Sequence, residues 1–191
     1  MKYNSLNYKF VFALVEGDDK DERIANAVQW MMYWLRFKSL CNQTGCVVFD
    51  IDDTLVDNKE KPIPSMIKLY KLCISLGFIV NIVTARPESP KNRKETARML
   101  DDRGITDYEA LYMMPANLNT TASIISTYKS NARADIAQRH EILANCGDMW
   151  TDHIKYPTSL KEFQDRNVEE TAVFFIPGQS FPCLKLPGEI D

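Results

Sequence analysis

Cys46-Val47-Val48-Phe49-Asp50-Ile51-Asp52-Asp53-Thr54-Leu55 is the stretch on which the fold turns. Four consecutive apolar residues followed at once by acids read as a short strand buried on both faces, as in a parallel sheet covered by helices. Residues two apart in an extended segment point the same way, so Asp50 and Asp52 are expected to face one site. Two carboxylates held that close repel each other and at neutral pH need a cation or a shared proton.

Working outward, the punctuation alternates strands and helices. Residues 64–76 read as a helix stopped at Gly77, a residue type that tolerates the left-handed turn after a helix. Residues 78–83 form a second apolar run. Ser89-Pro90 offers a side-chain cap followed by proline in the first turn, so a helix is expected from there to about Asp102. Further strands are expected at 110–114, 142–146 and 172–176, with a helix at 131–139 between the first two. This alternation predicts an α/β fold, a parallel five-stranded sheet with helices on both faces. Upstream, residues 20–38 read as a helix in which Ile24, Val28, Met31 and Leu35 keep helical spacing. Trp30, Tyr33, Trp34 and Phe37 cover much of its remaining circumference. A helix so apolar is buried on several sides or shared with a partner, a homodimer being one such arrangement. Residues 1–40 are therefore read as an N-terminal helical extension packed on a core spanning 41–191.

The 191 residues are 45% hydrophobic and 26% charged, a composition for one soluble globular unit and not for a disordered chain. The net charge of −3 excludes a strong whole-chain attraction to nucleic acid or an anionic membrane. The five cysteines are odd in number and lack C-x-x-C spacing, which fits free thiols in a reducing compartment. No apolar run approaches the ~18 residues of a spanning helix. The one candidate signal core, residues 10–15, is short and runs into Glu16-Gly17-Asp18-Asp19. A cytoplasmic location without membrane contact is expected.

Strand ends carry the chemistry, as expected where ligands bind beyond the carboxyl ends of parallel strands. The fourth strand ends in Gly147-Asp148-Met149-Trp150-Thr151-Asp152 and brings two more carboxylates. Hard oxygen ligands at this density suit Mg²⁺. Thr84-Ala85-Arg86 at the end of the second strand can hold a phosphoryl oxygen through hydroxyl and backbone N–H groups. Lys129, expected just before the helix at 131–139, can neutralise phosphoryl charge. An EF-hand starting at Asp50 fails, because its glycine and final glutamate positions are Leu55 and Lys61. No nucleotide-binding glycine loop is present.

Asp50-Ile51-Asp52-Asp53-Thr54-Leu55, Thr84, Lys129 and Gly147-Asp148-x-x-x-Asp152 resemble the four ordered motifs of the haloacid dehalogenase (HAD) superfamily. Tyr128-Lys129-Ser130-x-x-Arg133, Gly147 to Asp152, Thr84-Ala85-Arg86-Pro87-Glu88 and Leu184-Lys185-Leu186-Pro187 resemble, more narrowly, its class IIIB acid phosphatases, the group of plant acid phosphatases and vegetative storage proteins. The resemblance covers about residues 45–187 and implies a HAD-like Rossmannoid fold. It implies Asp50 as nucleophile through an aspartyl-phosphate and Asp52 as general acid and base. Mg²⁺ would be held by Asp50, the backbone carbonyl of Asp52 and Asp148, with Asp152 a direct or water-mediated ligand, and the phosphoryl oxygens by Thr84, Ala85 and Lys129.

Asp50 to Thr84 spans 34 positions and Thr84 to Lys129 spans 45, too few to insert a cap domain of ~50 or more residues beside the core elements. An open site shaded by residues 55–64 is expected. It suits small phosphomonoesters, nucleotides among them. The competing readings are a polynucleotide-end (3′-) phosphatase, suggested by Lys91, Arg93, Lys94 and Arg98, and a phosphate-binding module without turnover, against which Asp52 speaks. Asp53 is read as a turn residue, Arg86 and Arg133 as salt-bridge partners before phosphate ligands, His140 and His153 as structural, and Trp150 as a packing residue.

Overall fold

The computed structural model describes residues 2–6, 10–153, 171–175 and 179–187, the backbone alone up to Leu14. The strands are β1 (Lys2–Leu6), β2 (Phe10–Leu14), β3 (Cys46–Phe49), β4 (Ile79–Glu88), β5 (Ala110–Pro115), β6 (Ile142–Gly147), β7 (Ala172–Phe175) and β8 (Pro182–Lys185). The helices are α1 (Lys20–Leu40), α2 (Pro64–Ser75), α3 (Pro90–Asp102) and α4 (Ala122–Ala137), and a 3-10 turn spans Trp150–Asp152. All eight strands join one sheet in the order β1-β2-β7-β8-β6-β3-β4-β5.

Five of them, β8-β6-β3-β4-β5, run parallel, as the strand–helix alternation predicts. The membership differs in one place. The expected fifth strand at 172–176 is present as β7, with its last residue outside the described residues, but it lies antiparallel between β2 and β8. The fifth parallel strand is β8. Only residues 176–181 separate β7 from β8, a connection far too short for the crossover that parallel neighbours need. Beyond β7 the hairpin of β1 and β2 extends the sheet. The segment before α1 is thus strand and not only helix, and the run at 10–15 contributes a strand.

Side-chain alternation on β3 sets the two layers. Val47 and Phe49 pack against Ile24, Met31 and Leu35 of α1, Met66 and Leu69 of α2, and Leu100 of α3. Cys46 and Val48 pack against Ala132 and Ile136 of α4. A four-residue strand with no exposed side chain is the physical content of the apolar run. α1 begins where Asp19 accepts a hydrogen bond from the Glu22 N–H at 2.8 Å, and α3 where Ser89 accepts from Asn92 at 3.1 Å. Gly77 and Gly104 both take positive φ at the helix ends, 75° and 73°.

α1 divides its apolar surface three ways. One stripe enters the core. Trp30 and Trp34 stack at 6.1 Å and meet the edge of Phe175, and the Trp34 indole N–H donates to the Leu143 carbonyl at 2.9 Å. Tyr33, Phe37 and Leu40 are exposed. No described helix is long and apolar enough to cross a membrane.

The intervals between β3 and β4, and between β4 and α4, hold only α2, α3, β5 and loops, so among the described residues no large cap covers the edge where β3 ends. Residues 57–62 form a tight turn instead. The Asp57 carboxylate accepts from the N–H groups of Lys59 and Lys61 at 2.9 and 2.8 Å, and Arg103 donates to the Glu60 carbonyl at 2.7 Å.

Candidate active site

Asp50 follows β3 directly, and its N–H continues the ladder to the Cys146 carbonyl at 3.0 Å. Phe49 pairs with Ile82 on one side and Cys146 on the other. Asp50 therefore stands level with Val83 and Gly147, one residue short of Thr84 on β4 and Asp148 after β6. Asp148 and Asp152 come back toward it through the 3-10 turn. Asp50, Asp148 and Asp152 are all buried, and each offers a carboxylate oxygen within 4.8 Å of the others. The Lys129 ammonium lies 3.1 Å from Asp50 Oδ1 and pairs more closely with Asp152. Asp50 Oδ1 accepts no hydrogen bond from any described residue beyond this ion pair.

Gly147 permits this approach. A Cβ at position 147 would stand 2.4 Å from both Cβ and Oδ2 of Asp152. The Asp152 main chain is pinned from below, where its carbonyl accepts from the Asn145 amide at 3.0 Å and from the Arg133 guanidinium. Its carboxylate also accepts from the Met149 N–H at 2.8 Å. Asn145 and His153 complete a buried polar layer, with Asn145 Nδ2 2.8 Å from His153 Nδ1. Asn145 was not singled out in the sequence, although a lone amide inside the apolar run at 142–147 is a signal that could have found it.

Electrostatics follow from burial and charge number. Burial, then the charges of Asp152 and Asp50, push Asp148 up to about 9. Burial also raises Asp50 to about 7, against the pull of Lys129. Burial opposes ionisation of Asp152 too, but Lys129 outweighs it and holds that carboxyl below its ordinary value. Burial works against the charge on Lys129, and the two carboxylates it touches reverse this and raise it. Three buried acids against one ammonium leave negative charge that protons or a cation must offset. The donor set is all hard oxygen, which fits a divalent cation such as Mg²⁺.

Four expected site residues, Asp50, Lys129, Asp148 and Asp152, come together. Lys129 does so from within α4, not ahead of it. The helix starts nine residues earlier than expected, because Ser123, Ser126, Thr127, Ser130 and Asn131 give its first half a turn-like composition. Thr84 is fully buried, and its hydroxyl accepts from the Arg86 N–H at 3.2 Å. The pairing of β4 with β5 shifts register between Thr84 and Pro87, taking Ala85 out of that ladder. The Asp52 carboxylate does not join the buried group. It is 53% exposed and gripped by Arg86, with Nη2 2.6 Å from Oδ1 and Nε 3.1 Å from Oδ2. β3 stops at Phe49 and the chain folds back at Ile51, whose carbonyl accepts from Thr54, Leu55 and Val56. The two-residue period that aligned Asp52 with Asp50 does not apply past the strand.

Arg86 is the salt-bridge partner expected, whereas Arg133, expected to be one too, is buried and donates instead to the Asp152 carbonyl and the Ser130 hydroxyl. Asp53 sits in the turn at φ 51°. His140 pairs with Glu109 at 2.9 Å, and the buried His153 meets the edge of Phe174 at 5.2 Å. Trp150 is buried against Phe174.

Comparison with known proteins places this geometry. Over 124 residues the chain is 32% identical to acid phosphatase 1 of Solanum lycopersicum, an alignment covering 63% of this chain and 47% of that protein. The chain thus spans about half the length of the curated relative it matches. The class C acid phosphatase of Bacillus anthracis, solved with tungstate bound, superimposes with a TM-score of 0.64 over 92% of this chain and 81% of its own. At 13% identity that likeness speaks for the fold alone. The family model for the HAD superfamily, subfamily IIIB (acid phosphatase), matches residues 57–177. That match takes in Lys129, Asp148 and Asp152, and the sheet sets Asp50 beside them from just outside it. With over half its length matched, the chain belongs to subfamily IIIB of the HAD superfamily, the acid phosphatases.

Proposed function

We propose that the chain is a Mg²⁺-dependent phosphomonoester hydrolase that works through an aspartyl-phosphate on Asp50 and acts on small phosphomonoesters, nucleotides among them. The observation that carries this reading is the buried meeting of Asp50, Asp148 and Asp152 with Lys129 at one edge of the parallel sheet. Asp50, Asp148, Asp152 and the Asp52 carbonyl would hold the cation. When bound, it offsets the repulsion between the carboxylates and the incoming phosphoryl group.

In this reading an Asp50 carboxylate oxygen attacks phosphorus, and the bond from phosphorus to the leaving oxygen breaks. Asp52 gives that oxygen its proton, then takes a proton from the water that cleaves the Asp50 phosphoester. Asp52 suits a group that must meet an entering ester, since it stands at the exposed rim. Lys129 faces the phosphoryl oxygens from below. Thr84 accepts from Arg86 and so keeps its own O–H to donate to a phosphoryl oxygen. The five free thiols fit a reducing compartment.

A polynucleotide end has less to recommend it. Arg93 is neutralised by Glu88, and Lys91 faces Glu95 at 3.9 Å, so the basic stretch on α3 offers few uncommitted cations. Turnover of an aryl phosphate by wild type and by Asp50→Asn tests the proposal. A loss of roughly 10³-fold or more with an unchanged circular dichroism spectrum is expected. Undiminished turnover in the variant would end it.

A further inference from the structure

An open pocket of about 190 Å³ lies between the end of β4 and the first turns of α3, lined by Arg86, Pro87, Asn92, Glu95 and Thr96. It shares Arg86 with the Asp52 contact described above, so the residue that grips Asp52 also forms a wall of this pocket. At that size it falls below the ~300 Å³ at which drug-sized pockets begin, and it fits one small ring or a short polyol.

Its chemistry is polar. Apart from Pro87, every lining side chain is polar or charged. Asn92 spends one amide N–H on the Pro87 carbonyl at 2.9 Å, which leaves its second N–H as a donor and Oδ1 as an acceptor. Glu95 is 64% exposed and pairs with Lys91 at 3.9 Å along the helix. Thr96 is buried at 4% exposure and brings a hydroxyl. The one cation among the described lining residues, Arg86, is committed to Asp52 and faces Glu60 at 3.7 Å. Among the described lining residues none is aromatic, so none offers a face on which a base or aryl ring could stack.

We infer that this pocket receives the leaving group, and that it selects a neutral polyhydroxylated one, a sugar or other polyol, over an aryl group or a second phosphate. Acceptors on Asn92 and Glu95 match hydroxyl donors, and Asp52, Glu60 and Glu95 against Arg86 and Lys91 leave net negative charge around the pocket that disfavours a further phosphate. The inference rests on the phosphomonoesterase reading and narrows its substrate class.

The test compares kcat/KM for a hexose 6-phosphate and for phenyl phosphate in wild type, Glu95→Ala and Asn92→Ala. Glu95 lies on the exposed face of α3, where alanine is a strong helix former, so this variant tests the pocket without a folding penalty. Wild type is expected to favour the hexose ester. The ratio of the two kcat/KM values should fall about tenfold in Glu95→Ala, the effect of losing one charge-assisted hydrogen bond in the bound state. A ratio unmoved in both variants, with both esters turned over, overturns the pocket assignment alone. No turnover of either ester by wild type overturns the hydrolase reading and the pocket with it.

Discussion

At the residue scale the site is held together by one absence and one charge. Gly147 leaves the space that Asp152 occupies, and Gly147→Ala should force the two apart. We expect it to destabilise the fold by about 2 kcal/mol, as overpacking does, and to weaken divalent-cation binding, read by denaturant unfolding and by calorimetric titration. Lys129→Met removes the ammonium between Asp50 and Asp152 and leaves buried charge unpaired. A loss of about 3 kcal/mol in the metal-free protein is expected, recovered in part when Mg²⁺ is added. Arg86 is a different case, because its partner Asp52 is half exposed. Arg86→Ala should leave stability within about 1 kcal/mol of wild type while lowering kcat more than it raises KM, since Asp52 would lose its fixed position. Asp50 and Asp148 could be recognised from sequence because each ends an apolar run. The direction of the Asp52 side chain could not, since nothing in Asp50-Ile51-Asp52 shows that pairing stops at Phe49.

At the element scale legibility tracked burial. The two-sided strand β3 is a continuous apolar run and β6 one interrupted by Asn145 alone, and both are where the sequence puts them. α3 announced itself through Ser89-Pro90 and Gly104. The first half of α4 did not, because its serines and threonines favour turns in isolation and become helical here by packing Ser126, Lys129, Ala132 and Arg133 against the sheet. The strand β8 begins with proline and is only four residues long, so its place as fifth parallel strand was hidden behind the more apolar β7. β2 was hidden for another reason. A short apolar run near the start of a chain reads as a signal core before it reads as a strand.

At the scale of the whole molecule, the acidic group couples the fold to pH. Asp50 and Asp148 would titrate near 3.8 when unfolded and are raised in the fold to about 7 and about 9. Between pH ~4 and those values the metal-free fold holds more protons than the unfolded chain, so through these groups its stability falls as pH rises across that window. His153 works the other way. Burial lowers it from 6.5 to about 3, so the unfolded chain gains a proton below pH 6.5 that the fold refuses, and acid costs stability. A divalent cation takes the place of the carboxyl protons and binds more tightly as they leave. The rise in melting temperature on adding Mg²⁺ should therefore grow from pH 6 to pH 9. A shift that shrinks over that range would contradict the assignment of Asp50 and Asp148 as ligands. Openness belongs to this scale as well: among the described residues no inserted domain encloses the edge where Asp50 stands, and in the reading proposed above substrate choice falls to the rim residues Asp52 and Arg86 and the pocket beside them.

If Asp50 itself carries the phosphoryl group during turnover, borohydride trapping will mark it. The protein is quenched during turnover of an aryl phosphate with Mg²⁺, reduced with tritiated borohydride, which converts an acyl phosphate to homoserine, and mapped by peptide mass spectrometry. The account predicts tritiated homoserine at position 50, none without Mg²⁺ and none in Asp50→Asn. Label at any other carboxylate during full turnover would contradict it.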